Sequence, residues 1–533
     1  MRARVIILAL ILSSSVAFGT SRYVAQTAGT FGGGTACNGH IAVTVSTFNK
    51  TTLLPGDVTY LCGIIIGTAG ASGLSIRQSG TSGNPIDVIF DSGAVMTAPY
   101  WGTGAAISIS GDSYILIDGG GAGGTNGTIE DTQNGSGLTY QQDSIAILGP
   151  CTPGCEIKNL LVKNLYVHSN SSDTHDFNAD GFYYSNGSSQ GISIHDSVAH
   201  DIHWIISLLN FGANDSGLNI YNNNFYNMDH GVAIGAETTG VTWSNIKIHD
   251  NHIGSTNVWD TSADAYHHDG IHFYPYCYGS TTCTSTFVSG YVYNNLFDGN
   301  WGVNNTAFFF CEATETNLWT FNNVFNSNAT GVNLNNGATE CGGSGARTLN
   351  NTFLAPSSQT TAIFAQGCGS VGACGANAMQ AKNNAIANAG SIIFVPPDEA
   401  LQAGGLDFNV YGNCTGSNCF VYHGNTWNAS QFSLYQANLK IDSGSEQNST
   451  YQSGGIGLNS SGVPQSSSPV INAGTNLSSL CSGVLVALCS DTSAGNTRTP
   501  IARPSSGAWD VGAYEHLGGL QVAPPKALNG IVH

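Results

Sequence analysis

Asn294-Asn295-Leu296-Phe297, Asn322-Asn323-Val324-Phe325 and Asn350-Asn351-Thr352-Phe353 are three copies of one four-residue phrase, set 28 residues apart. Variants extend it both ways: Lys163-Asn164-Leu165, His195-Asp196-Ser197, Asn222-Asn223-Asn224-Phe225 and Asp250-Asn251-His252-Ile253 upstream, and Asn383-Asn384-Ala385-Ile386 downstream. Counted from the second position of each, the steps are 32, 27, 28, 44, 28, 28 and 33 residues. A period in this range marks a solenoid or a propeller.

Short runs such as Leu218-Asn219-Ile220-Tyr221, Ile246-Lys247-Ile248-His249 and Tyr291-Val292-Tyr293 lie between the asparagines. They alternate apolar and polar residues at period two, as strands with one face inward do. No amphipathic helical pattern separates them, which removes leucine-rich, ankyrin and βαβ architectures. A propeller blade needs four strands in about 40 residues, too many for this repeat. Two or three strands per coil of a parallel β-helix fit, with coils stacked about 4.8 Å apart. At that spacing Asn164, Asn223, Asn251, Asn295, Asn323, Asn351 and Asn384 are predicted to form one column of amides bonded up the stack.

The ends and the composition set further bounds. Arg2 and Arg4, the apolar run from Val5 to Leu12 and the small residues through Gly19 read as an export signal over 1–20, too short to span a bilayer. Residues 21–104 are assigned to an N-terminal cap and first coils, 105–425 to the helix core, and 426–533 to a C-terminal capping segment. The 14 cysteines fit disulfides in an oxidising, extracellular compartment, with the periplasm or the cell surface as variants. Close pairs (Cys151 with Cys155, Cys277 with Cys283, Cys368 with Cys374, Cys414 with Cys419, Cys481 with Cys489) read as loop staples, since none shows zinc-finger spacing. A net charge of −19 with 14 Lys and Arg makes nucleic acid a poor partner, because phosphates need cations to replace their counterions. No run of about 18 apolar residues follows the signal, so no membrane span is expected.

On this repeat the chain resembles the secreted right-handed parallel β-helix superfamily of pectate lyases and polygalacturonases, over about residues 105 to 425. The resemblance implies an all-β fold, a single solenoid with an asparagine ladder and irregular caps. A second resemblance lies in Ser468-Pro469-Val470-Ile471-Asn472-Ala473-Gly474, then Asp491, Gly495, Arg498 and Trp509-Asp510-Val511-Gly512-Ala513-Tyr514-Glu515. This looks like the closing segment of many bacterial secreted β-helix proteins.

Aligning Asp180-Gly181-Phe182, His203-Trp204-Ile205, His230-Gly231-Val232 and Asp269-Gly270-Ile271 places Asp180, His203, His230 and Asp269 in one row. Asp201, Asp229, Asp264, His267, His268 and His272 lie around it. Long turns at 169–178 and 254–268 flank the row, and insertions on one face of a solenoid tend to build its binding face. Trp259, Tyr266, Tyr274, Tyr276 and Tyr183, with His268 and His272, are the candidate substrate contacts. Strict alternation would turn Asp180 and His230 inward, so the row requires that the glycines re-aim them.

Asn178-Ala179-Asp180-Gly181 is similar to the N-T-D motif of polygalacturonases, Asp201 to one aspartate of their D-D pair, and Asp229-His230-Gly231 to G-H-G. Nothing matches R-I-K. Asp180 and Asp201, set about 4.8 Å across and 6.6 Å along, would stand roughly 8 Å apart, the carboxylate spacing of an inverting hydrolase. The leading expectation is therefore a glycoside hydrolase, monomeric, acting on a polysaccharide through Asp180, Asp201, His230, Asp269 and His203. The alternatives are a lyase or epimerase, with calcium as the cation and Lys158, Lys163 or Lys247 as base, and a glycan-binding surface protein without activity. A transition metal on Asp264, His267, His268 and His272 is a further reading, without any recognised zinc-protease spacing.

Overall fold

The computed structural model describes residues 19–516, except 122–126, 135–141, 150, 152, 169–176, 186–189, 211–213, 237–239, 257, 261–266, 275–285, 302–305, 312–313, 316, 327–338, 342–345, 355–360, 365–378, 396 and 398–400. The signal segment, Asp264, Tyr266, Tyr276 and the pairs Cys277/Cys283 and Cys368/Cys374 lie outside the described residues.

The expected parallel β-helix is present. One sheet runs from Ser21–Val24 through Ile86–Phe90, Asn219–Tyr221 and Leu318–Phe321 to Leu401–Asp407, thirteen strands with every neighbour parallel. The other two walls merge into one sheet, because Val198–Asn210 and Asn224–Ala236, each 13 residues long, pass from one wall to the next without a break. Coils are already stacked at Ser21, which pairs with Val58, and the last parallel pairing is Val410 with Thr450. An antiparallel hairpin, Gly29–Thr30 with Ile41–Ala42, and the turn of helix at Val45–Phe48 cover the first coils.

The asparagine doublets divide into two tasks. The first residue of each makes the corner: Asp196, Asn222, Asp250, Asn294, Asn322, Asn350 and Asn383 all have φ between 52° and 57°. Asn and Asp tolerate that left-handed region best among side-chain-bearing residues. The second residue builds the ladder. Asn223 Nδ2 donates to Asn251 Oδ1 at 3.0 Å, Asn251 to Asn295 at 3.0 Å, Asn295 to Asn323 at 3.0 Å, Asn323 to Asn351 at 3.1 Å and Asn351 to Asn384 at 3.1 Å. Each Nδ2 also donates to a carbonyl of the coil before, and each next Oδ1 also accepts the backbone N–H. Both hydrogens and both lone pairs of the buried amide are thereby used.

The column extends one coil further than the repeat suggested, to Asn409, and Ser197 and Ser449 close its ends. Asn164 is not in it. Lys163 pairs with His200, so Asn164 falls level with Asp201 at the following corner, where it has φ 60°. The phenylalanines of the phrase point inward and stack, Phe297 on Phe325 at 4.9 Å and Phe325 on Phe353 at 4.7 Å.

Disulfides join Cys151 to Cys155, Cys414 to Cys419 and Cys481 to Cys489, as the spacing suggested, and Cys37 to Cys62 across 25 residues. No helix among the described residues is long and apolar enough to cross a membrane. The closing segment runs back along the side of the solenoid: Gly512 N–H donates to Asn383 O, Ala513 N–H to Thr352 Oγ1, and Gly495 N–H to Asn294 O. Its buried Arg503 donates to Glu515, Ser490, Asp510, Gly512 and Ala513, and to Asn322 of the helix wall.

Helix Phe432–Asp442 packs over the last coils and buries Tyr435 and Leu439. Beneath it, Glu446 Oε1 accepts from Tyr411 at 2.7 Å and Tyr435 at 3.0 Å. Burial pushes the Glu446 carboxyl up to about 7 despite those bonds. A raised acid pKa favours the folded state fully below the unfolded value near 4.5, and the benefit is lost as pH rises through 7. Urea unfolding at about pH 5 and pH 8 is expected to show a stability loss at the higher pH that is smaller in Glu446→Gln than in the parent by up to about 3 kcal/mol, the remainder belonging to other raised groups such as Asp131 and Glu515.

Candidate active site

The cluster is built where the third wall breaks its alternation. In Val198–Asn210, Ile202 is in the core, His203 and Trp204 are not, and Ile205 and Ile206 are in the core again. The next strand repeats this, with Met228 and Val232 in the core and Asp229 and His230 outside it. Phe308 and Phe309 are likewise both inside. Two successive residues turn out and two turn in, and they do so in step on neighbouring strands, so the pairing register is kept across the break. Glycine permits the close strand approach: a Cβ on Gly231 would stand 2.5 Å from Gly270 O, and one on Gly270 2.6 Å from Phe308 O. The same outward turn occurs without glycine in Val198–Asn210, where Ile205 stands level with Gly231, so the break in alternation and not glycine aims the row.

The register differs by one residue from the sequence alignment. Asp180 pairs with Trp204, Trp204 with His230 and His230 with Asp269, so Trp204 takes the place expected for His203. His203 still reaches the cluster, with Nε2 at 3.2 Å from Asp229 Oδ2. Asp229 is the hub. Its Oδ2 also accepts from Trp204 Nε1 at 2.8 Å and faces His230 Nδ1 at 2.7 Å, while Oδ1 meets His268 Nδ1. Asp269 is the second centre: Oδ2 lies 2.6 Å from His267 Nδ1, 3.2 Å from His230 Nε2 and 3.6 Å from His272 Nδ1. His230 Nε2 and His272 Nδ1 stand 3.2 Å apart.

Burial and charge oppose each other here. Burial alone would raise both carboxyls; for Asp229 the charges of His230 and His268, with hydrogen bonds from His203 and His230, hold it well below the usual carboxylate range. Asp269 is held low in the same way by His267 and His230. Burial would lower His230, but Asp229 and Asp269 outweigh it and lift the imidazole to about 9. His267 is also raised, chiefly by Asp269. All these groups are buried except His267, about a third of whose side chain is exposed.

Asp201 is not part of the cluster. It sits three residues before Trp204 at a corner, with φ 55°, and its carboxylate bonds His200 Nδ1 at 2.5 Å. Asp180 is in the row but three strands from Asp269, and Asp201, three residues before Asp180's partner Trp204, turns its carboxylate to His200. Trp259 is buried rather than open to a sugar: it stacks on His168 at 4.4 Å, meets Tyr166 edge-on and borders His203 at 5.6 Å. His268 and His272 are buried within the cluster. Tyr274 ends the strand His268–Tyr274, and nothing is described of its side chain. Tyr183 is half-buried on the outer face, in register with Ser207, Ala233 and His272, and packs with Trp204, Ala233 and Leu209. Asp229 and Trp204 were not among the sequence candidates for contact or catalysis. The signal for Asp229 was its adjacency to His230 one coil above His203.

No known family and no curated protein matches the sequence. Among solved structures the chain is similar to the pectate lyase Pel9A, with TM-score 0.39, 14% identity and coverage of 94% of this chain and 98% of that one. It is also similar to the PL6 family alginate lyase AlyGC, in one structure at TM-score 0.33 and 12% identity, over 81% of this chain and 57% of that one. A second AlyGC structure gives 0.31 and 12%, over 70% and 50%. The chain thus spans little more than half the length of that alginate lyase.

Proposed function

We propose that the chain is an extracellular polysaccharide-cleaving enzyme that breaks uronate-containing glycans by β-elimination at the Asp229/Asp269 imidazole cluster. The observation that carries this is the state of the carboxylates. A hydrolase needs a protonated carboxyl for the leaving oxygen and a second one to activate water. Asp229 and Asp269 are instead buried acceptors ringed by imidazole and indole nitrogens, and Asp201 lies at a corner on His200.

Elimination asks for other groups. A base removes the proton on the carbon beside the uronate carboxylate, the bond to the glycosidic oxygen breaks as that oxygen takes a proton from an imidazolium or water, and a double bond conjugated with the carboxylate forms. The step needs positive charge opposite the carboxylate and a base of matched pKa. Five imidazoles on one outer face of a chain of net charge −19 are the described groups that suit both needs. The half-buried Trp204 and Tyr183 lie beside them as a surface for a sugar ring. Four disulfides among the described residues fit an extracellular site of action.

The test is a panel of pectate, alginate and neutral plant and microbial glycans, read for ultraviolet absorbance and for reducing ends. The two readings are expected to rise together on a uronan. Reducing ends without absorbance would mean hydrolysis, and binding with neither would mean a glycan-binding protein.

A further inference from the structure

His230, His267, Asp269 and His272 each offer one ligand atom, and these four atoms lie within 4.8 Å of one another. Asp269 and His272 come from one strand, three residues apart; His230 is Asp269's register partner on the neighbouring strand, and His267 immediately precedes His268–Tyr274. We infer that these four residues form a binding site for one divalent transition-metal ion of the zinc class.

Three features support the inference. The first is spacing. Metal–ligand bonds of about 2.0–2.1 Å in a tetrahedral site set the ligand atoms about 3.3 Å apart. His230 Nε2 stands 3.2 Å from both Asp269 Oδ2 and His272 Nδ1, and His272 Nδ1 stands 3.6 Å from Asp269 Oδ2. Only His267 Nδ1, at 2.6 Å from Asp269 Oδ2, is closer, and it belongs to the one side chain with room to move outward.

The second feature is donor arithmetic. Three imidazole nitrogens converge on the single oxygen Asp269 Oδ2, which has two lone pairs, while Asp269 Oδ1 is buried and takes no hydrogen bond. A burial this complete, 0% exposed, makes an unmatched oxygen costly. A cation at the common centre engages all three nitrogens and the carboxylate at once.

The third is the outer support. His230 Nδ1 faces Asp229 Oδ2 at 2.7 Å, so an Nδ1–H donated there turns the lone pair of Nε2 toward the other ligands. A carboxylate behind a ligating histidine is the usual way of fixing its tautomer. Trp204, His203 and His268 hold that carboxylate in turn. Three nitrogens and one oxygen suit zinc and its neighbours, whereas calcium takes six to eight oxygens.

The inference rests on the same cluster as the elimination reading, and deepens it: with its four positions filled by protein the ion would supply a fixed positive charge beside the uronate without binding it, leaving His203 and His268 as the rings outside its coordination set. Its test needs no substrate, so either idea can fail alone. The folded full chain, dialysed against chelator, is titrated with zinc chloride by calorimetry, and bound metal is counted by elemental mass spectrometry. One ion per chain is expected. His267→Ala and His272→Ala are each expected to weaken binding at least a hundredfold, and Asp229→Asn, acting through His230, by about 10- to 100-fold. His249→Ala, in the separate outer pair with Asp250, is expected to bind as the parent does.

Far-ultraviolet circular dichroism checks each variant's fold. If a buried substitution unfolds the chain, cobalt(II) added to the parent decides, since four protein ligands give the intense visible bands of a tetrahedral ion. No stoichiometric ion on the folded parent, a cobalt spectrum of the weak octahedral kind, or unchanged binding in His267→Ala and His272→Ala would overturn the site.

Discussion

Asp229→Asn is expected to lower turnover on the uronan substrate by roughly three to four orders of magnitude, with the fold intact. Asp229 presents two acceptor oxygens to His203, Trp204, His230 and His268. An asparagine keeps one oxygen and puts an NH2 where the other stood, so at least one imidazole meets a donor with a donor. His230 then loses one of the two carboxylates that lift its imidazole to about 9, and with it much of the positive charge the elimination step needs. Loss of the carboxylate that fixes a catalytic imidazole's tautomer costs about 10⁴ in the serine-protease case, where geometry is otherwise kept. Asp201→Asn is the contrast. Asp201 has φ 55° at a corner where the coils on either side carry Asn164 and Asn227, both also left-handed, so asparagine suits the position. Its turnover is expected to stay within about twofold of the parent, whereas a hydrolase using Asp201 as base would lose two or more orders of magnitude. Steady-state rates of the two purified variants, with circular dichroism as the fold check, decide the matter.

The second large effect is on stability. Asn323→Ala is expected to cost roughly 3 to 5 kcal/mol of unfolding free energy. The change removes the acceptor of the Asn295 backbone N–H and side-chain amide, and the donor to Val292 O and Asn351 Oδ1. All lie in the interior, where each orphaned group costs about 1 to 3 kcal/mol. Asn164→Ala, outside the ladder, is expected to cost only the 1 to 2 kcal/mol of a left-handed non-glycine residue, and Asn164→Gly almost nothing. Urea midpoints for the three variants give the comparison. A loss at 323 no larger than that at 164 would mean that the amide column adds little to stability.

These two pairs of variants also show where the sequence was legible. The asparagine phrase gives the solenoid because its task repeats identically in every coil, so the period survives in the letters. It does not separate the doublet's two roles, since asparagine is favoured both at a left-handed corner and in a stacked amide column. Asn164 was misplaced for that reason: it marks the second corner of its coil, level with Asp201, and only the strand pairings tell one corner from the other. The row of acids and histidines was legible as a concentration of unusual residues. Its register was not, because Ile205-Ile206 and Phe308-Phe309 break period two and slide the count by one, exchanging Trp204 for His203. Trp259 illustrates another limit. An aromatic in a long turn can face a ligand or the protein, and the rings of Tyr166 and His168, distant in sequence, settle it as packing.

The most direct measurement on the central claim is the mass of the smallest oligosaccharide released from a uronan by the parent chain. Elimination forms the new double bond without adding water, so the product carrying the new non-reducing end is lighter by one water than a hydrolytic fragment of the same length. The account predicts that lighter, unsaturated product from the parent and its near-absence with Asp229→Asn. A product of full hydrolytic mass, formed as fast by Asp229→Asn as by the parent, would contradict it.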